Sequence, residues 1–477
     1  MGLTSVEFVL FLPIVIFLYY MMPKVARPVF LLAINLLFYA TFGISYICII
    51  LFDAVIAWLS GYVISDPKNA KKTKVLLSVS IFLLFVPMAI FRILPSFNES
   101  ILGPLGISFY TLQAVSYVVD VYKKEIDREK SFWKLLTYLS FFVTITAGPI
   151  YRFKDFGTFY DNASRKLKAN YEAITNGIIY TIWGFMLKVV VADRIAIPIN
   201  TVFSNFQTEN YGGIVLILIA FLYSIQIYAD FAGYSAIVIG IAQMLGYTIP
   251  ENFKAPYLSM SIKEFWSRWH ISLSTWLRDY IYIPLGGNRH GKVRKAFNVM
   301  ITFMVSGLWH GTAFNYIIWG ALHAFYQIIG DLTSGLRKRI IPLTGIRNNS
   351  FFHRMLKRVG TFLLVTFAWI FFRNGVNDSI KYIGMMFGNF GGLKTQLKVM
   401  TQLGVSLSGW ALAAICSGML IVSDVVSYKK DLRVEQAAGY QGPLFKALFV
   451  ITLSLMILLF GEWGVKHDAA YFIYRDF

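Results

Sequence analysis

Apolar residues run along this chain in long blocks, separated by short polar and basic stretches. A bilayer-spanning helix needs roughly 17–25 mostly apolar residues. The blocks that approach this are 6–22, 28–43, 45–64, 75–93, 105–121, 132–149, 174–192, 212–229, 231–247, 297–312, 313–330, 359–373, 405–425 and 444–461. Several are short or interrupted, so about ten to twelve are expected to span and the rest to be re-entrant or interfacial. The first block, Val6 to Met22, follows no Lys or Arg and ends in Pro23-Lys24 without a small-residue cleavage site. It reads as a membrane helix and not as a secretion signal. No internal repeat is apparent, which counts against an inverted-repeat transporter. The expectation is an all-α polytopic membrane protein, one domain over 1–477, with a motif-rich core at 254–330, a basic loop at 331–358 and C-terminal helices at 359–477.

Basic residues collect between the blocks, as in cytoplasmic loops. Lys24 and Arg27 mark one turn, Lys68, Lys71, Lys72 and Lys74 a second, and Lys123, Lys124, Arg128 and Lys130 a third. Loop 94–104 has no basic residue and is expected outside, as is the N-terminus. Arg152, Lys154, Arg165, Lys166 and Lys168 then follow a single block, 132–149. That block is expected to be re-entrant, because Gly148-Pro149 interrupts a helix.

Composition agrees with the membrane reading. Hydrophobic residues make up 57% and charged residues 14%, against about 25% charged in soluble proteins. The 44 Lys and Arg less 25 Asp and Glu leave +19. Their confinement to inter-block loops argues against nucleic-acid binding. Cys48 and Cys416 both lie in apolar stretches without a partner at ligand spacing, so no disulfide framework, zinc site or other metal site is expected.

The stretch 254–295 is too polar to span, with Lys263, Glu264, Arg268, His270, Arg278 and Asp279 among its aromatics. As one helix it would gather Trp266, Trp269, Leu273, Trp276 and Tyr280 on one face, with Arg268, Thr275 and Asp279 opposite and His270 at the border. Such a helix lies along a membrane interface or caps a bundle; a simple anchor accounts for the same pattern. Pro284-Leu285-Gly286-Gly287-Asn288-Arg289 reads as a tight turn, chemically fit also to hold a phosphate. His310 sits in Val305-Ser306-Gly307-Leu308-Trp309-His310-Gly311-Thr312, between the apolar runs 297–305 and 313–322. Ionisable groups at membrane depth are costly and usually line a cavity, and imidazole is suited to proton transfer. A buried histidine hydrogen-bonded to a neighbour is the plainer alternative. Gly307 and Gly311 would admit a close approach of backbone or substrate. His323, thirteen residues on, would lie about 220° around an unbroken helix from His310 and reads as structural. His290 and His353 in basic loops and His467 in the polar tail read as solvated. GxSxG, GxxxxGK[ST] and HExxH motifs do not occur.

Taken together, several of these runs carry a resemblance. They are Phe265-Trp266-Ser267-Arg268-Trp269-His270-Ile271-Ser272-Leu273-Ser274, then Trp276-Leu277-Arg278-Asp279-Tyr280 and Ile283-Pro284-Leu285-Gly286-Gly287-Asn288-Arg289. Gly307-Leu308-Trp309-His310-Gly311 and Trp319-Gly320-Ala321-Leu322-His323 follow, with Asn35-Leu36-Leu37-Phe38-Tyr39 and Gly106-Ile107-Ser108-Phe109-Tyr110 nearer the start. They resemble the membrane-bound O-acyltransferase family, in its bacterial branch of alginate O-acetylation proteins, over most of 1–330. The resemblance implies a helical bundle around a central tunnel with the active histidine at its narrow part, which maps to His310. A second motif histidine maps to His270. Trp309, Arg278, Asp279 and Asn288, inside the same motifs, are candidate substrate or tunnel residues. Teichoic acid D-alanyl transfer proteins share the Arg-Trp-His and Trp-His-Gly elements but lack the Ile-Pro-Leu-Gly-Gly-Asn-Arg run, which favours polysaccharide O-acetylation here.

The resemblance also implies a reaction. Acetyl-CoA, or another acyl thioester, approaches from the cytoplasmic side as donor substrate, drawn by basic loops, with no bound cofactor. His310 takes the acceptor proton, and Arg278 or His270 stabilises the developing charge. The acceptor is the polysaccharide or a secreted or membrane-anchored SGNH-type acyltransferase that relays the group, which would account for the missing serine elbow. Expected partners are that acyltransferase, the polysaccharide synthesis and export machinery and membrane lipid, in a bacterial cytoplasmic membrane. D-alanyl or other acyl transfer to an envelope polymer, or a non-catalytic acyl conduit or transporter, are the alternatives. Residues 335–360 are expected to form a cytoplasmic loop that contacts lipid headgroups or a partner.

Overall fold

The structure, a computed structural model, describes residues 1–94, 103–146, 148–165, 169–388, 390, 392–401 and 403–462. Most of loop 94–104, together with Lys166, Lys168 and His467, lies outside the described residues. Every regular element among them is helical. In chain order these are α1 (Val6–Met21), α2 (Arg27–Ala40), α3 (Ile44–Ser65), α4 (Thr73–Ile93), α5 (Ile107–Tyr122), α6 (Phe132–Leu139), α7 (Phe153–Arg165) and α8 (Tyr171–Phe185). A π-helical segment, Met186–Ala192, leads into α9 (Asp193–Asn205), α10 (Gly213–Met244), α11 (Ile262–Trp266) and α12 (Ile271–Leu277). A second π-helical turn, Arg278–Tyr282, precedes α13 (Gly291–His310), α14 (Phe314–Leu332), α15 (Ser334–Leu343), α16 (Phe351–Arg373), α17 (Val376–Gly388) and α18 (Leu393–Met400). The last are α19 (Leu407–Lys430), α20 (Val434–Gly439) and α21 (Pro443–Phe460). Serines start several of them by accepting an otherwise unpaired N–H. Ser5 caps α1, Ser131 caps α6, Ser350 caps α16 and Ser406 caps α19.

Six of these helices, α3, α4, α10, α16, α19 and α21, are long and apolar enough to cross a membrane. The difference from the ten to twelve expected lies in apolar runs that fold into shorter pieces. Block 28–43 yields the 14-residue α2 and block 105–121 the 16-residue α5. α5 is buried on nearly every side, so its apolarity marks a core helix and not a lipid-facing one. α21 is the opposite case, exposing Leu444, Leu448, Ile451 and Leu455. Blocks 212–229 and 231–247 merge into the 32-residue α10. The intervening Asp230 does not break the helix, because its charge is met by Lys188 at 2.7 Å. The basic stretch 331–358 is partly helical, through α15 and the start of α16.

The chain divides into two compact units. The first holds Met1–Thr181 and Tyr234–Glu251. Here block 132–149 forms no spanning helix: α6 has eight residues, about 12 Å of rise, and buried irregular backbone follows. Asn35 pins that backbone, donating to Thr137 O at 3.2 Å and accepting from Phe142 N at 3.0 Å. Tyr138 and Tyr151 donate their hydroxyls to each other's carbonyls at 2.9 and 2.8 Å. Gly106 adopts φ +78°, and a Cβ there would lie 1.7 Å from Ile145 O.

The second unit holds Ile182–Gly233 and the described residues 252–462. Lys188 bridges Asp193 and Asp230, both at 2.7 Å and all buried. In this unit 254–295 is not one helix. The chain breaks after α11, and His270 takes φ +43°, a left-handed conformation uncommon outside glycine. Asn252 holds the break, its carbonyl accepting from Ile271 N at 3.0 Å and its side chain from Ser272 N at 3.2 Å. Trp266, Trp269, Leu273 and Trp276 are nonetheless all buried, as the single-helix projection grouped them.

Candidate functional site

Trp309 and His310 are carried by the α13–α14 hairpin of the second unit. α13 starts with Lys292, Arg294 and Lys295 and turns apolar towards its end. It stops at His310, where Gly311 is extended and donates its N–H to Gly307 O at 3.2 Å. A Cβ on Gly307 would lie 2.2 Å from Tyr316 O, and one on Gly320 2.2 Å from Phe303 O. Both glycines therefore let the two helix backbones touch. The close approach that the Gly307 position predicted is made by α14 backbone. Asn315 fixes the start of α14 to α16, donating to Phe371 O at 3.1 Å.

His310 and His270 are each 1% exposed. The His310 ring sits 4.8 Å from Trp309, 5.1 Å from Trp319 and 5.2 Å from Phe372, centroid to centroid. The His270 ring packs 4.6 Å from Phe231 and 5.8 Å from the same Trp309. Trp309 thus joins the two motif histidines, forty positions apart in sequence, into one aromatic cluster. His270 lies outside the spanning helices, and burial alone pushes its imidazole down to about 3. It remains neutral at physiological pH.

His323 belongs to this cluster as well. The angular argument against it assumed an unbroken helix from 310 to 323, but the chain turns back at Gly311. His323 is fully buried. Its ring lies 5.1 Å from Trp319, which separates it from His310, and its Nδ1 accepts from Trp266 Nε1 at 3.2 Å.

A cavity of about 550 Å³ opens beside the cluster, within the 300–1,000 Å³ range of small-molecule sites. Trp266 forms part of its wall, and so do Val299, Thr302, Phe303 and Ser306. These four share one face of α13, and His310 is the next position on that face. Lys263, Arg278 and Lys295 supply cationic lining, and Asn288 lines the cavity too. Asn288 is carried by the Gly286-Gly287 turn, with φ values of +105° and +58°, which Asn298 pins by donating to Gly287 O at 2.8 Å. Arg278 donates to Asp279 at 2.8 Å.

The sequence-derived candidates therefore divide in two. His270, Trp309 and His310 meet in the aromatic cluster, whereas Arg278 and Asn288 line the cavity, with Asp279 held on Arg278. Trp266, Asn298, Ser306, Trp319 and His323 were not singled out by sequence reasoning as chemistry-bearing. For Ser306 a signal was present, since it lies one helical turn before His310.

The family model of the membrane-bound O-acyltransferases matches residues 32–373, which contain every element of this site. A probable alginate O-acetylase of Pseudomonas fluorescens is 35% identical over 390 residues, covering 81% of this chain and 74% of the relative. A peptidoglycan O-acetyltransferase of Helicobacter pylori is 30% identical over 387 residues, 74% of this chain and 66% of the relative. A teichoic acid D-alanyltransferase of Streptococcus thermophilus is 30% identical over 300 residues, 60% of this chain and 70% of the relative. With a family match over most of its length, many membrane helices and a buried histidine cluster beside a cavity within the matched region, this chain belongs to the membrane-bound O-acyltransferase family.

Proposed function

We propose that this protein moves an acetyl group from a cytoplasmic thioester, acetyl-CoA, to a hydroxyl acceptor at the opposite membrane face, for O-acetylation of an extracellular polysaccharide. The observation that carries the reading is a polarity along α13. Cations line the cavity around Lys295, and the cavity reaches Ser306, one turn short of the buried His310. From Lys295 to His310 the helix rises about 22 Å.

Charge supports one orientation. Lys295 pairs with Asp331 at the end of α14, so the start of α13 and the end of α14 lie level. Arg337, Lys338 and Arg339 follow immediately in α15. Arg358, near the start of α16, lies 5.2 Å from the Tyr428 ring, which precedes Lys429 and Lys430 at the end of α19. These clustered cations suit the cytoplasmic face under the positive-inside rule. The phosphates of acetyl-CoA would then meet Lys263, Arg278 and Lys295, and the acetyl thioester would extend towards His310.

His310 acts as general base on the acceptor hydroxyl. His270, neutral and across Trp309, positions the Trp309–His310 pair. Acetyl is favoured over D-alanyl because the O-acetylase relative aligns over 81% of this chain and the D-alanyltransferase over 60%. The acceptor is a secreted or membrane-anchored SGNH-type acyltransferase that relays the group to polymer, working with the polysaccharide synthesis and export machinery in a bacterial cytoplasmic membrane.

The test compares wild type with His310→Ala in the native host, measuring ester-linked acetate on secreted polysaccharide at equal membrane levels of protein. Loss of general-base help is expected to lower acetylation by about 10²–10⁴-fold. Unchanged acetate would remove His310 from the reaction.

A further inference from the structure

Ser306 is 1% exposed, lines the cavity, and its hydroxyl has no hydrogen-bond partner. Helical serines and threonines commonly return the hydroxyl to the carbonyl four residues back. This chain does so at Ser80, Thr137 and Thr361, with distances of 2.7, 2.7 and 2.8 Å. Thr302, one turn before Ser306 on the same helix, does so too, donating to Asn298 O at 2.7 Å. Thr181 on α8 also lacks a partner, but Ser306 lacks one at a position that lines the cavity one turn before His310. A buried hydroxyl left unpaired is costly, and such groups in native structures call for a partner or a role.

We propose that the Ser306 hydroxyl is held for the carbonyl oxygen of the bound acyl donor, and stabilises the oxyanion formed when the acceptor attacks. The assignment rests on the acyl-transfer reading above. The acceptor oxygen bonds to the acyl carbon as its proton passes to His310, and the carbonyl electron pair moves onto oxygen, where Ser306 Oγ–H donates. Collapse of the oxyanion breaks the carbon–sulfur bond, and the leaving thiolate takes the proton from His310. Ser306 is unchanged at the end. Donors aimed at developing charge in a water-excluded site act through the transition state more than through binding.

The experiment places wild type, Ser306→Ala, Ser306→Thr and His310→Ala in the native host lacking its own copy. Alkali-labile ester on the envelope polymer is measured per amount of membrane protein, together with the thermal midpoint of each purified variant. Ser306→Ala is expected to lower ester by about 10²-fold with a midpoint equal to or above wild type, because it removes an unpaired buried hydroxyl. Wild-type ester in Ser306→Ala overturns the assignment, and so does a loss that tracks a lowered midpoint. Should the alanine variant be missing from the membrane, Ser306→Thr decides. Ester near wild type supports the hydroxyl, and ester lost with the protein present overturns it. Ester lost in His310→Ala but intact in Ser306→Ala sinks only the serine assignment, whereas ester intact in His310→Ala sinks the acyl-transfer reading itself.

Discussion

Two of the places where the second unit buries polar groups are built differently. At Lys188, Asp193 and Asp230 opposite charges lie 2.7 Å apart, and each ion meets its counter-ion. Around His310 the setting is aromatic, and several polar atoms hold no hydrogen bond within the protein: Ser306 Oγ, Trp319 Nε1 and His323 Nε2. Buried polar groups are normally satisfied. The triad is held by opposite charges and ties the π-helical segment to α10. The histidine cluster leaves donors unused beside a cavity, which suits groups that wait for a substrate. The contrast predicts that one region governs folding and the other governs chemistry.

The largest effect should come from breaking the triad. Lys188→Met would leave two buried carboxylates without their cation, a loss of about 3–5 kcal/mol, and membrane levels measured by immunoblot should collapse. Normal levels would erase the distinction between the regions. His310→Ala should do the reverse, abolishing acyl transfer by about 10²–10⁴-fold while abundance stays at wild type. Gly307→Ala lies between the two. Its methyl would meet Tyr316 O at 2.2 Å, forcing α13 from α14 at a cost of about 1–3 kcal/mol. Both midpoint and activity should fall, and an unaltered midpoint would show that the hairpin is looser than the backbone contact implies.

The smallest effect is one of pH. His270 has a folded value of about 3 against 6.5 in an unstrained setting. Above 6.5 neither state binds the proton and the full stability is present. As pH falls through 6.5 towards 3, the unfolded chain takes up a proton that the folded chain refuses, so stability is lost. The loss at pH 5 is about 2 kcal/mol. His270→Asn, which tolerates the left-handed backbone, should show a flatter midpoint between pH 7 and pH 5 than wild type. Equal slopes would mean that His270 is hydrated.

Much of this was legible in the residues. An ionisable side chain between two apolar runs marked His310, and paired glycines marked the turn carrying Asn288. What stayed hidden has physical causes. Periodicity assumes that backbone dihedrals repeat, and a single left-handed residue at His270 voids that assumption, although the burial pattern of the tryptophans survives it. The same assumption separated His323 from His310 by angle, where a chain reversal at Gly311 brings both against Trp319. Apolarity alone does not say whether a helix faces lipid or protein, so α5 read as a span. Asp230 read as an interruption because its counter-ion, Lys188, lies on another element.

That counter-ion has a consequence for how the protein is made. Lys188 and Asp193 leave the ribosome together and can enter the bilayer as a locally neutralised pair. Asp230 follows one helix later, in the interior of α10, carrying a charge that the hydrocarbon rejects. The pair must therefore remain reachable until α10 arrives, and insertion of this part of the chain becomes a joint event in which no single helix is released to lipid ahead of its neighbour.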